Sequence, residues 1–273
     1  MTYPKEHLEN TAAFIRKHTS IQPEYGIILG SGLGVIAESM EEAVRIPYSE
    51  IPHFLKSTAP GHAGNLVIGK LNGKAVMVMQ GRFHTYEGYT QQEVTYPIAA
   101  MKEMGAHTLI VTCATGGLNY NFKAGDIMLI RDHINFTGSN PLIGHNDEAV
   151  GPRFPVMFDA YTPELRKVAH SAALKAGIRL HEGIYCGITG PVFYTPAELR
   201  MLMQWGADSI GMSTVPEVIN AVHRGMKVMG LALISDIAIP DGGHHATGDD
   251  VLRTVKESSE TFTRLLNSIM AEL

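Results

Sequence analysis

Residues 24–40 read EYGIILGSGLGVIAESM: an apolar run, glycines at 30, 32 and 34, and then the residues of a helix start. The run Gly26 to Leu29, cut off by glycine, predicts a buried strand that turns at once into a helix. Such a turn invites a phosphate, and three kinds have to be told apart. The dinucleotide fingerprint needs glycine at its first, third and sixth positions; here the sixth is Val35, and the third glycine comes one residue early at Gly34. Residues 64–71, GNLVIGKL, nearly spell a P-loop, but Leu71 stands where a magnesium-binding Ser or Thr belongs. Two simpler readings of residues 30–34 remain open at this point. Backbone N–H groups and the Ser31 hydroxyl, at the positive end of a helix, can seat one anion. Alternatively, the glycines serve only the conformation of the turn.

The rest of the chain repeats this alternation. A helix is expected over Lys5 to His18, and a hairpin over 65–81 with Asn72-Gly73 as its type I′ turn. Gln91 to Gly105 reads as a helix, residues 107–113 as a strand, 126–130 as a strand, and Thr162 to Gly177 as a helix with an early proline. Residues 183–190 form a further strand. Thr195 with Glu198, and Thr214 with Glu217, each have the spacing of a capping box. The second of these helices runs to Gly225. A strand over 227–235 and a helix over Asp249 to Leu273 close the chain. Strands alternating with helices predict an α/β fold, and the hairpin adds antiparallel pairing. The expected architecture is one domain over residues 1–273, a mixed central β-sheet flanked by helices.

The chain has 273 residues, 45% of them apolar, which is enough for a large core, and a formal charge of −5 that argues against a nucleic-acid surface. Its two cysteines, Cys113 and Cys186, form neither a disulfide framework nor a zinc site, which fits a reducing, cytoplasmic setting. No run approaches the length of a membrane span, and the first residues lack the apolar core of a signal peptide.

Two more stretches carry oxyanion chemistry. Residues 81–88, GRFHTYEG, place Arg82, His84, Tyr86 and Glu87 directly after an apolar strand, where open α/β sheets build their ligand crevice. An arginine there suits two phosphate oxygens at once, and a histidine can add another hydrogen bond. Residues 211–217, GMSTVPE, offer the hydroxyl of Ser213 just before a helix.

Taken with LGSGLG (29–34), GHAG (61–64), GGLN (116–119), AGDIMLIRDHINFTGSNPL (124–142), RFP (153–155), TGPVFYTPAE (189–198) and GADSIGMSTVPEV (206–218), these stretches resemble the trimeric purine nucleoside phosphorylases, the inosine/guanosine-type family related to methylthioadenosine phosphorylases. The resemblance implies the phosphorylase/hydrolase-like fold and a homotrimer. It implies cleavage of purine (deoxy)ribonucleosides by orthophosphate, a co-substrate, to free base and ribose 1-phosphate, without metal or organic cofactor. It assigns phosphate to Ser31, Arg82, His84, Ser213 and the backbone at Ala114, with His62 beside it. The sugar falls to Tyr86 and Met212, with Phe193 packing on sugar and base, and Phe154 reaches into the neighbouring subunit's site. Glu87 would orient Arg82 or His84. His84 at the phosphate and Asp236 at the base are the expected catalytic groups. Neither nucleic acid nor membrane is an expected partner.

The base end departs from the family. Tyr194 stands where a glutamate is usual, and Ser235-Asp236 where a Thr-Asn pair is usual. A tyrosine cannot reproduce the ionic pairing of glutamate with a 6-oxopurine. An ionised aspartate only accepts, whereas a buried, protonated one can donate to N7, and either form can accept from a 6-amino group. Asp236 resembles the methylthioadenosine phosphorylases, so an adenosine-type preference is the alternative. The family histidine for the 5′-hydroxyl has no counterpart near Gly248; His244 or His245 could replace it.

Overall fold

The structure, a computed structural model, describes residues 3–59, 63–241 and 246–273. The chain opens with α1 (Lys5–Arg16), β1 (Tyr25–Leu29), a 3₁₀ helix (Gly34–Ser39) and β2 (Glu41–Pro47). The hairpin follows as β3 (Asn65–Leu71) and β4 (Lys74–Gln80), then α2 (Gln91–Val94), α3 (Tyr96–Met104), β5 (Thr108–Gly117) and β6 (Ile127–Asn135). The last part holds α4 (Pro163–Lys175), β7 (Leu180–Gly187), α5 (Pro196–Gln204), β8 (Ser209–Gly211), α6 (Val215–His223), β9 (Lys227–Ile237) and α7 (Gly248–Glu272).

The nine strands form one mixed sheet in the order β2-β3-β4-β1-β5-β8-β7-β6-β9, and a further β5–β9 pairing closes the last five strands into a ring. The pairings β4–β1, β1–β5 and β5–β9 are all parallel. The C-terminal ends of these four strands therefore lie along one edge, and Ser31, Arg82, His84, Ala114, Ser235 and Asp236 lie near or just beyond them. The expected hairpin is present in register, and Asn72 (φ 49°) and Gly73 (φ 75°) both take the left-handed conformation that a type I′ turn requires.

Side chains alternate across the sheet. In β1, Ile28 packs on one face with Ala12 and Ile15 of α1, Ile98 and Met101 of α3 and Val218 of α6. Ile27 and Leu29 point to the other face, onto Leu165 and Ala169 of α4 and Val255, Phe262, Leu266 and Ile269 of α7. The α7 contacts recur at helical spacing, so this helix buries one stripe against the sheet. A smaller cluster, Leu118, Ile188, Leu199, Leu202 and Ile210, seats α5 beside the closed ring.

Several boundaries differ from expectation for identifiable reasons. The helix expected over Gln91 to Gly105 breaks at Thr95 (ψ 1°), because Pro97 lacks the N–H that a continuous helix would need. The Thr95 hydroxyl donates back to Gln91 O at 2.8 Å across the break. The strand expected over 183–190 lies three residues earlier. After Gly34 the chain forms a short 3₁₀ helix and the edge strand β2, which the sequence reading missed, rather than an α-helix. Among the described residues, no helix is long and apolar enough to cross a membrane.

Phe262 is fully buried between α7 and the sheet. Phe262→Ala is expected to lower unfolding stability by about 3–5 kcal/mol, read as a lower denaturant midpoint at unchanged slope. A loss under about 1 kcal/mol would contradict this packing.

Candidate active site

A cavity of about 340 Å³ opens at the shared strand edge. Its walls include Ser31, Arg82, His84, Tyr86, Ala114, Phe193, Tyr194, Met212, Ser213, Ser235 and Asp236. Of the expected site residues that are described, Phe154 alone lies elsewhere. His62 falls outside the described residues, as do His244 and His245. Phe154 is 84% exposed and lies outside this cavity.

The glycine turn is shaped by close approach as much as by conformation. A Cβ on Gly30 would come 2.8 Å from the Cys113 Cα, so β1 can end against β5 only with glycine there. Gly32 takes φ 75°, and a Cβ on it would meet Val255 of α7. These constraints swing Ser31 to the cavity wall. The positive helix end expected behind it is a six-residue 3₁₀ helix beginning only at Gly34, so the aligned dipole of an α-helix is absent.

Arg82, at the end of β4, is 1% exposed. Its guanidinium donates to Glu217 Oε2 at 3.3 Å, to the carbonyl of Ile28 at 3.4 Å and to the carbonyl of Thr112. Glu217 therefore does not cap α6, and the capping box expected at Thr214 and Glu217 is not formed. Thr214 has no side-chain cap bond and holds φ 69°, a strained value for a β-branched residue. Its hydroxyl lies 3.5 Å from Arg82 Nη1 and 3.3 Å from Ser213 Oγ. The buried guanidinium takes both groups because it needs a counter-charge more than the helix needs a cap. Tyr185, fully buried, fixes Ser213 by accepting from its N–H and donating to its carbonyl, each at 3.3 Å.

Of Arg82 and His84, the two residues that Glu87 is expected to orient, it bonds to His84. Glu87 Oε1 accepts from the His84 N–H at 2.8 Å and lies 3.1 Å from Nδ1, while Oε2 accepts from Thr58 N–H and its hydroxyl at 2.8 and 2.6 Å. Tyr86 stacks on the imidazole at 4.5 Å. Burial lowers the proton affinity of His84, more than the Glu87 contact restores it. Burial alone would raise Glu87, but the bonds from His84 and Thr58 outweigh it and bring it down to about 2. The Cys113 thiol also lines the cavity, yet burial pushes it up to about 11, which removes it as a nucleophile.

At the other end, Ser235 Oγ lies 2.8 Å from Asp236 Oδ1 and 3.2 Å from the carbonyl of Thr115. Its single hydrogen serves one of these acceptors at a time. A protonated Asp236 donating to Ser235 would satisfy both, and burial raises the proton affinity of this carboxyl accordingly. Tyr194 packs edge-on against Phe136 at 6.3 Å. Beside α7 the described wall is Ala246, Gly248 and Val251, none with a polar side chain, and a Cβ on Gly248 would meet nothing within 4 Å. Among the described residues no group of three or more His, Cys, Asp or Glu is placed to hold a metal.

Sequence reasoning missed Glu217 and Tyr185 as supports of the site. Glu217 had a signal: it is the one charged residue within VPEVINAV (215–222), an otherwise apolar and amide-bearing helix, and buried carboxylates need cations.

Comparison with known proteins places the chain in a family. The phosphorylase superfamily profile matches residues 24–271. Purine nucleoside phosphorylase 1 of Geobacillus stearothermophilus is 49% identical over 97% of both chains. The purine nucleoside phosphorylase of Bos taurus is 47% identical over 99% of this chain and 96% of its own. A Schistosoma purine nucleoside phosphorylase solved with hypoxanthine superposes with a TM-score of 0.95 at 41% identity, covering 100% of this chain and 99% of its own.

Two outcomes follow from the site's electrostatics. Glu217→Ala strands a buried guanidinium and is expected to cost about 3–5 kcal/mol of stability in denaturant unfolding; a cost below about 1 kcal/mol would contradict the pairing. For Asp236, a raised native proton affinity means that stability falls as pH rises above the ordinary aspartate value of 3.8. Asp236→Asn should therefore gain on the parent protein between about pH 4 and pH 7, and parallel stability profiles would contradict this.

Proposed function

Since the chain belongs to the purine nucleoside phosphorylase family of the phosphorylase superfamily, we propose that its cavity cleaves purine nucleosides with inorganic phosphate in the following way. Phosphate sits among Ser31, Arg82, His84, Ser213 and the backbone at Ala114, below the anomeric carbon of a nucleoside whose base lies toward Tyr194 and Asp236. A phosphate oxygen forms a bond to C1′ as the N-glycosidic bond breaks, and the bond's electron pair leaves with the purine. The purine takes up a proton, giving free base and ribose 1-phosphate. No enzyme nucleophile, metal or organic cofactor enters this step, because phosphate is itself the attacking group.

Holding both reactants in line contributes as much as roughly 7–11 kcal/mol where the geometry is ideal. The ring acquires oxocarbenium character, which the phosphate charge beneath it stabilises. A proton on Asp236 gives the leaving purine a hydrogen bond that strengthens as negative charge builds on the base, and only such strengthening speeds the chemical step. The observation that carries the proposal is the placement of Arg82, His84, Ser31 and Ser213 on the same cavity as Asp236.

The base preference has a second reading, an adenosine or methylthioadenosine type. Asp236 and Tyr194 favour it, since neither supplies the ionic partner of a 6-oxopurine, and the apolar wall at Ala246, Gly248 and Val251 leaves room beside the sugar. A Schistosoma mansoni relative was solved with adenosine and also with inosine. A homotrimer is part of the proposal: Phe154, Val156 and Phe158 are 84%, 79% and 90% exposed, an apolar patch suited to a neighbouring subunit. The two cysteines, both free thiols, fit the expected cytoplasmic setting.

Release of free base from inosine, guanosine, adenosine and methylthioadenosine is the test. Turnover should require phosphate, and Asp236→Asn should raise the inosine-to-adenosine ratio of kcat/KM by about tenfold or more, the scale of one mismatched hydrogen bond. Cleavage at equal speed without phosphate would refute the reaction; an unchanged ratio would refute the role of Asp236.

A further inference from the structure

At the base end of the cavity most polar side chains are already engaged. Thr115 Oγ1 donates to the carbonyl of Ile210 at 2.6 Å, and Ser235 faces Thr115 O and Asp236 Oδ1. A Cβ on Gly116 would stand 3.5 Å from Asp236 Oδ2, so glycine there leaves the approach to this oxygen clear. Tyr194 is the other polar side chain on this wall, and among the described residues its hydroxyl meets no hydrogen-bond partner. Its ring, by contrast, is held. Phe136 packs edge-on against it at 6.3 Å, Trp205 packs edge-on against Phe136 at 5.4 Å, and Tyr194 rests on the cluster of Ile188 and Leu199. Tyr194 precedes α5 and Trp205 follows it, so Phe136 bridges the two ends of one helix. Burial, and after it the nearby Cys186 and Glu198, raise the proton affinity of the phenol, which stays un-ionised at neutral pH.

An un-ionised phenol can donate one hydrogen bond and accept others. The side chains beside it on the wall, Ile188, Pro196, Leu199 and Ala238, offer no acceptor for its hydrogen. Facing a bare ring nitrogen, the phenol donates and both groups are satisfied. Facing a ring N–H it must accept, and its own hydrogen then finds no acceptor on these side chains, a cost of the kind that separates close substrates. The two purine classes differ in this respect at one atom. N1 is a bare acceptor in a 6-aminopurine and carries a hydrogen in a 6-oxopurine. With Asp236 at N7, the six-membered ring is left to Tyr194.

We propose that Tyr194 selects the base: its hydroxyl donates to N1, and the preferred substrates are purine nucleosides whose N1 carries a lone pair. This rests on the phosphorolysis reading and sharpens its adenosine-type alternative. Negative charge that builds on the departing purine spreads to N1, so the bond strengthens in the transition state and adds to kcat. Tyr194 itself undergoes no covalent change.

Adenosine, 1-deazaadenosine and 3-deazaadenosine, compared by kcat/KM with phosphate in the parent protein and in Tyr194→Phe, read this bond directly. Removing N1 also changes the leaving group, and comparing the two proteins cancels that contribution. The adenosine-to-1-deazaadenosine ratio should fall about three- to tenfold in Tyr194→Phe, while the ratio to 3-deazaadenosine holds. An unchanged 1-deaza ratio overturns the proposal. A fall in the 3-deaza ratio instead overturns it too, since the hydroxyl would then meet N3. Tyr194→Glu gives an independent result should the phenylalanine variant fold poorly. A carboxylate only accepts, so its inosine-to-adenosine ratio should rise about tenfold or more, and a ratio that stays put overturns the proposal. Adenosine cleaved with phosphate but without these effects removes the role of Tyr194 and leaves phosphorolysis standing. Adenosine left intact while inosine is cleaved overturns the adenosine-type reading as well, and cleavage of neither with phosphate overturns phosphorolysis itself.

Discussion

A guanidinium taken out of water must find a counter-charge and carbonyl oxygens, and Arg82 finds both by joining three strands to one helix. Its donors reach Ile28 O of β1, Thr112 O of β5 and Glu217 of α6. The contact that neutralises the charge thus also holds the ends of β4, β1 and β5 and the Ser213-Thr214 turn in one constellation. Breaking such a pair by removing one partner is far costlier than its net contribution to stability suggests. The strained backbone of Thr214 follows from the same demand, because its hydroxyl is drawn to Arg82 instead of to the start of α6.

Most of the architecture was legible because it follows period and punctuation. The Asn72-Gly73 turn, the capping box at Thr195 and the buried strand over the apolar run Gly26 to Leu29 are local signals, and each appears where expected. What failed was decided at long range. Thr214 and Glu217 satisfy the spacing of a capping box, yet a residue 135 positions away claims the carboxylate. At Gly30 the sequence admits an anion seat or a plain glycine turn, and the close approach of β5 shows why glycine stands there. Gly30 is required by the approach of β5, and that approach is what brings Ser31 to the cavity. The ring closure through β5 and β9 has no signature in either strand alone.

The two ends of the cavity solve opposite electrostatic problems. At the base end, burial favours the protonated form of Asp236, whose neighbour Ser235 cannot satisfy two acceptors with one hydrogen. At the other end, Glu217 faces the buried guanidinium of Arg82, and Glu87 faces the imidazole of His84.

The central claim is spatial: one oxyanion, bounded by Ser31, Arg82, His84 and Ser213, faces the sugar of a nucleoside whose base meets Asp236. A crystal structure of the protein grown with ribose 1-phosphate and a purine base addresses it most directly. The account predicts the phosphoryl group within hydrogen-bond distance of Ser31 Oγ and Ser213 Oγ, with the base against Asp236. A phosphoryl group bound elsewhere, with this cavity filled by water alone, would contradict it.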